Sequence, residues 1–148
     1  MLEVKLIEAE DTYSLRHRIL RPHMEIKDCM YDTDHGEGAF HVGAFVQNQL
    51  ISIASFNIEK YYDFPHENQY RLRGMATRND FRKQGAGREI IRFAEKLIKA
   101  NDTNLLWCNA RTTVQDYYLK IGFQAHGEAF DYPPIGPHIV MYKKIESL

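Results

Sequence analysis

The sequence is poor in the features that most often announce a function. It has only two cysteines in 148 residues, Cys29 and Cys108, far apart and outside any CxxC pair. That excludes a disulfide framework or a cysteine-built zinc site and fits a reducing cytoplasm. The seven histidines are scattered, with no HExxH and no i,i+4 pair beside a carboxylate, so no metal is expected. "DTDHGEG" lacks the length and ligand spacing of an EF-hand loop, which argues against calcium. A net charge of -1 disfavours nucleic acid or an anionic membrane surface as partner. No apolar run approaches a membrane span, and the acids in "MLEVKLIEAEDT" do not suit a signal peptide. There is no GxxxxGK[ST], and GxGxxG fails because position 90 is Ile. Repeats and low-complexity runs are also missing.

What remains is a globular composition, 44% hydrophobic and 26% charged, long enough to bury a real core as one domain over 1–148. "EVKLIEA" (3–9) alternates as a first strand. Asp11 is placed to cap a helix running to about Arg21, where Pro22 stops it. Residues 22–38 show no clean period. "AFHVGAFVQ" and "LISIASFNIEK" flank "NQ" as a hairpin, and "QYRLRGMAT" (69–77) is a further strand. Ile90, Ile91, Ala94, Leu97 and Ile98 share one helical face, opposite Glu89, Arg92 and Lys96. "NLLWCNA" (104–110) is a strand, and "TTVQDYYLKIG" is a helix ending at a C′ glycine, Gly122. Two closing strands flank "PPIGP". The order predicts an α/β (α+β) mixed central sheet with helices packed on it.

"RNDFRKQGAGREII" carries the chemistry. Gly85 and Gly87 open a helix, where glycine is costly. Free amides at a helix start, the helix dipole and basic neighbours Arg82, Lys83 and Arg88 together suit an anion. An isolated R-x-x-G-x-G fits an unliganded turn equally well.

The context resembles the acetyl-CoA loop of the GNAT N-acetyltransferase superfamily, [QR]-x-x-G-x-[GA] after a strand. Arg82, Gly85 and Gly87 fill the pattern, five residues after Thr77. "DYYLKIGF" (116–123) resembles the superfamily's Y-x-x-x-G-F helix end. The two motifs and the element order span most of the chain. The resemblance implies a GNAT fold in which strands 69–77 and 104–110 splay apart. Pantetheine would lie in the gap against Met75, Ala76 and Thr77, and a diphosphate would rest on the amides of Lys83, Gln84, Gly85, Ala86, Gly87 and Arg88. Superfamily members often carry Asn seven residues before the motif tyrosine. Arg111 stands there, reaching cofactor oxygens or pointing to solvent.

The implied activity is direct acetyl transfer from acetyl-CoA to a primary amine of a small molecule or peptide. By resemblance, the backbone N–H near Met75 polarises the thioester and Tyr118 is the general acid. On the helix alone, Tyr118 reads as a packing residue. The base is not readable. Glu59 at a strand end and His138 are candidates, the latter in "PHIVM", which resembles a terminal P-H-I-x-M of the ElaA-type branch. Arg16, Arg18 and Arg21 could hold an acceptor carboxylate, and Asp32 and Asp34 an ammonium. A solvated helix face and a polar turn explain the same residues. A non-catalytic acyl-CoA-binding sensor on the same fold is the alternative. A homodimer is compatible with either.

Overall fold

The computed structural model describes residues 1–145. Its strands are β1 (Glu3–Ile7), β2 (Phe40–Val46), β3 (Gln49–Ile58), β4 (Tyr70–Thr77), β5 (Leu105–Arg111), β6 (Gln124–Tyr132) and β7 (Gly136–Lys144). They form one sheet in the order β1-β2-β3-β4-β5-β7-β6. Every neighbouring pair is antiparallel except β4 with β5. This is the mixed sheet the element order predicts. The β2–β3 hairpin turns on Gln47 and Asn48, one residue earlier than "NQ", and both have positive φ (49° and 65°). That is the geometry a two-residue turn needs to match strand twist.

The helices are α1 (Tyr13–Leu15), α2 (Ala86–Ala100) and α3 (Gln115–Lys120). Helix α2 buries the predicted stripe: Ile90, Ile91, Ala94 and Ile98 pack on Val42, Phe56, Leu72 and Leu106. Each large aliphatic side chain buried there contributes about 1.5–3 kcal/mol. On the opposite sheet face, Trp107 and Val140 pack with Phe64, and Leu15 packs with Ile53 and Ala76. β5 and β7 therefore send Trp107, Asn109, Arg111, Val140 and His138 to the face away from α2.

The first helical segment departs from expectation. It is a 3₁₀ turn (Ala9–Thr12), α1, then a π turn (Arg16–Leu20). Asp11 lies inside the first turn, where its carboxylate accepts the Glu8 N–H at 2.9 Å; Glu8 is the cap. A buried network explains why this segment sits where it does. Arg16 is fully buried and forks onto both Asp34 oxygens at 2.8 Å. It also donates to the Cys29 carbonyl and to Ser55 Oγ, each at 2.8 Å. His41 Nε2 faces the Asp34 carbonyl at 2.9 Å, so that nitrogen carries the proton. His41 Nδ1 then accepts from the Ser55 hydroxyl at 2.7 Å. The chain from Arg16 Nη2 through Ser55 to His41 is continuous, and only Arg16 Nε is buried in it without a partner. Arg16 and Asp34 neutralise each other inside the protein, so neither meets a substrate. This removes Arg16 and Asp34 from the residues expected to bind the acceptor.

Candidate active site

The parallel pairing of β4 and β5 stops after Tyr70–Leu106 and Arg71–Trp107. Beyond those pairs, Leu72–Thr77 and Cys108–Arg111 face each other without ladder partners across the gap. A bulge in β4 coincides with the opening. Ile53 pairs with Ala76 and Ser55 with Arg73, so β4 carries an extra residue, and Gly74 and Met75 drop out of the ladder with β3. Gly74 has φ +63°, and a Cβ there would come within 3.1 Å of Arg16 Nε and 3.3 Å of the Tyr31 ring. Only glycine allows both the backbone turn and this approach.

At the end of β4 the chain makes a 3₁₀ turn (Asn79–Phe81), then turns through Lys83 and Gly85, both with positive φ, into α2. Arg82, Lys83, Gln84, Gly85 and Arg88 are exposed. A Cβ at Gly85 would meet nothing within 4 Å, so the space before the helix is open. The first-turn amides of Ala86, Gly87 and Arg88 have no intrahelical acceptor. Gly87 has a different reason to be glycine. A Cβ there would collide with the Tyr117 hydroxyl, so Gly87 serves the contact between α2 and α3. At Gly87 the absent side chain leaves room for Tyr117. Gly87→Ala should therefore push the Tyr117 hydroxyl aside, at no more than about 1 kcal/mol because that ring tip is partly exposed and can swing, and a Tyr117→Ala background should remove the loss. Gly85→Ala meets no clash and should show only the penalty of its left-handed backbone, about 1–2 kcal/mol, which Tyr117→Ala leaves unchanged. Thermal melts of the three variants check this contrast.

The Y-x-x-x-G-F motif has a physical origin in the end of α3. Phe123 N–H donates to the Tyr118 carbonyl at 3.0 Å and Gly122 N–H to Leu119 at 3.2 Å. This is a Schellman end, with Tyr118 and Phe123 as its hydrophobic pair, ring centroids 5.4 Å apart. The cap fixes where Tyr118 stands. Its side chain is buried at the cleft wall formed by Leu72, Met75 and Ala110. Burial, then the nearby Cys108 and Tyr117, push its phenol well above the usual value, so it is protonated at neutral pH. Cys108 itself is pushed up to about 12 by burial and is an inert thiol.

The cleft continues through the gap to the far sheet face. There Arg21 and Tyr31 come from the first segment, Arg71 and Arg73 from β4, Asn109 and Arg111 from β5, and His138 from β7. His138 pairs with Arg111 across the strands, and its Nδ1 donates to the Gly136 carbonyl at 2.8 Å. That bond leaves Nε2 as the ring position able to accept a proton. Arg111 does not point to solvent: its Nη2 donates to the Leu20 carbonyl at 2.5 Å, on the face away from α2. Burial, and then Arg21, push its pKa down.

Glu59 is bound to Arg71 at 2.9 Å and does not line the cleft, which corrects its reading as an acceptor-side carboxylate. Asp32 is exposed and outside the cleft, and Arg18 is also exposed. Both acidic candidates of the "DTD" turn are thus accounted for elsewhere. Arg71 and Arg73 were not predicted. Their signal was the alternation in "YRLRG", which turns both guanidiniums to the face opposite Tyr70 and Leu72. No group of three or more His, Cys, Asp or Glu that could hold a metal occurs among the described residues. No helix among them is long and apolar enough to cross a membrane.

Residues 17–135 match the family model for the acetyltransferase (GNAT) domain. The chain is 50% identical, over 99% of both chains, to an uncharacterised N-acetyltransferase, YitI, of Bacillus subtilis (strain 168). Among solved structures it resembles Escherichia coli ElaA, with TM-score 0.73 and 16% identity over 97% of this chain and 99% of that one. It also resembles an aminoglycoside 6'-N-acetyltransferase complexed with coenzyme A, with TM-score 0.77 and 12% identity over 99% and 98%. At such identities these two likenesses speak for the fold. The family model and the half-identical relative go further: the chain belongs to the GNAT family of N-acetyltransferases.

Proposed function

We propose that this protein transfers acetyl groups from acetyl-CoA directly to a primary amine of a small molecule or peptide. The observation that carries the reading is the opening between β4 and β5, which begins beyond Arg71–Trp107 and leads to Tyr118 on one side and His138 on the other. Family membership supplies the acyl-CoA class of co-substrate. The open space at Gly85 and the free first-turn amides of α2 fit its diphosphate, with Arg82, Lys83, Gln84 and Arg88 around it. Met75, Ala76 and Thr77 are positioned to flank the pantetheine arm.

Bound acetyl-CoA supplies an activated thioester. The amine nitrogen forms a bond to the carbonyl carbon, the C–S bond breaks, and the amine loses a proton. His138 Nε2 takes that proton, directly or through water. The amide freed at the β4 bulge stabilises the developing oxyanion. The Tyr118 hydroxyl donates a hydrogen bond to the departing sulfur. A thiol with pKa near ~8.5 is a stronger acid than this raised phenol, so Tyr118 stabilises the thiolate more than it protonates it outright. His138→Ala should lower the transfer rate by about 10²-fold or more while leaving acetyl-CoA affinity intact. Single-turnover kinetics and calorimetry on the same variant check it.

The experiment that tests the reading is calorimetric titration with acetyl-CoA, ATP and NAD. Tight binding of acetyl-CoA alone is expected. Preference for ATP or NAD would refute it, while acetyl-CoA binding without transfer to any amine would favour a sensor module.

A further inference from the structure

Three guanidiniums surround one phenol ring in the acceptor half of the cleft. Arg16, Arg73 and Arg21 lie 3.9, 4.2 and 5.3 Å from the Tyr31 centroid. Arg16 is neutralised by Asp34, and Arg71 by Glu59. Arg21, Arg73 and Arg111 have no carboxylate partner among the described residues. Arg21 donates to the Asp28 carbonyl at 2.9 Å, Arg73 to Thr33 Oγ1 at 3.3 Å, and Arg111 to the Leu20 carbonyl. Neutral acceptors hold these side chains in place and leave their charge uncompensated. No Asp or Glu lines the cleft among the described residues.

Concentrating like charge in a half-buried cleft costs free energy unless an anion relieves it. Burial, and then Arg71, already push Arg73 below its ordinary pKa. The diphosphate of the co-substrate is not that anion. Its proposed seat is the start of α2, whereas Arg73 and Arg111 lie on the opposite sheet face with Trp107. A second group points the same way: Asn109 Oδ1, beside Arg111 on β5, is buried without a hydrogen-bond partner. It is an acceptor awaiting a donor such as an amine N–H.

From this juxtaposition we infer that the acceptor is an amine that also carries an anionic group, a carboxylate or a phosphate. Arg21, Arg73 and Arg111 hold the anion, and Asn109 Oδ1 receives the amine. The inference rests on the transferase reading and narrows its substrate class. Guanidinium forks match both oxyanions, and the Tyr31 ring keeps Arg21 and Arg73 aimed together. The same field repels polycationic amines such as polyamines and aminoglycosides.

The test uses matched probes on the acetyl-CoA-loaded protein: glycine against glycinamide, O-phosphoethanolamine against ethanolamine, and spermidine. Binding is read by calorimetry and transfer by released CoA thiol. The anionic member of at least one pair should be preferred by about 10²-fold or more, because an unfilled arginine clamp leaves buried donors unpaired. Which pair shows the preference tells carboxylate from phosphate. Arg73→Gln and Arg21→Gln should each erase most of that preference while the acetyl-CoA affinity of the folded variant stays unchanged. Equal or better use of the neutral members, preference for spermidine, or no binding of an anionic member up to about 10 mM would overturn the inference. Efficient transfer to cationic amines would sink it and leave the transferase reading standing. Anion binding without acetyl-CoA binding would do the reverse. The wild-type comparison stands even if a variant fails to fold.

Discussion

Tyr118→Phe is expected to lower the single-turnover rate by about 10²-fold, the scale of losing one donor to a developing negative charge. The substitution removes a hydroxyl and keeps the ring. The T-shaped contact with Phe123 and the helix end it closes should therefore survive, with little change in melting temperature. Acetyl-CoA affinity should also barely change, because the proposed seat of the co-substrate is built from backbone amides of the loop and of β4. The defect should not ease between pH 7 and 9, since burial holds the wild-type phenol protonated throughout that range. If Tyr118 only packs, the rate per folded molecule stays normal and the variant differs, if at all, in stability. Melting temperature, affinity and rate measured on one preparation separate the two roles.

Asp34→Asn is expected to cost about 3–5 kcal/mol, the usual penalty for breaking one side of a buried pair and stranding the other charge. Arg16 would be left fully buried with no carboxylate. The loss should reach the active site, because Arg16 sits under Gly74 and stacks on Tyr31, which line the cleft. The pH dependence has a definite sign. Burial raises the Asp34 carboxyl pKa, but the Arg16 hydrogen bonds and the Tyr31 amide outweigh it, and the net shift is downward. A depressed carboxyl contributes stability above its unfolded pKa, about 3.9. That contribution fades as pH falls through the folded-state value. The gap between wild type and Asp34→Asn, measured by urea unfolding, should therefore be widest near neutral pH and narrow below about pH 4. A gap independent of pH would mean that the ion pair is not the source of the loss.

The parts of this molecule legible in its sequence are those set by short-range physics. The stripe Ile90, Ile91, Ala94 and Ile98 announces the face of α2, and Gly122 announces the end of α3, because both depend on neighbours within a few residues. The loop from Arg82 to Arg88 was readable for the same reason. What was not readable depends on contacts far apart in sequence. Nothing around Arg16 says that Asp34 will meet it, so Arg16 looked like a surface arginine able to hold substrate. Nothing around Gly87 says that Tyr117, thirty residues on, will pack over it. Glu59 ends a strand as predicted, but its partner Arg71 comes from the next one. The helix expected from Asp11 onward gave way to three short turns, as tertiary packing of Arg16 and Leu15 overrode local periodicity. The cationic half of the cleft was hidden for a related reason. Arg73 and Arg111 come to line one cleft only once β4 and β5 start side by side and then part.

The most direct measurement of the central claim is acetyl transfer under turnover. Catalytic protein is mixed with excess acetyl-CoA and a panel of primary amines, and both free CoA thiol and acetylated amine are quantified. The account predicts many acetyl groups moved per protein molecule, equal amounts of thiol and amide, and an about 10²-fold slower formation of both in Tyr118→Phe. Tight acetyl-CoA binding with no amide formed from any amine in the panel, or thiol release without amide, would contradict it.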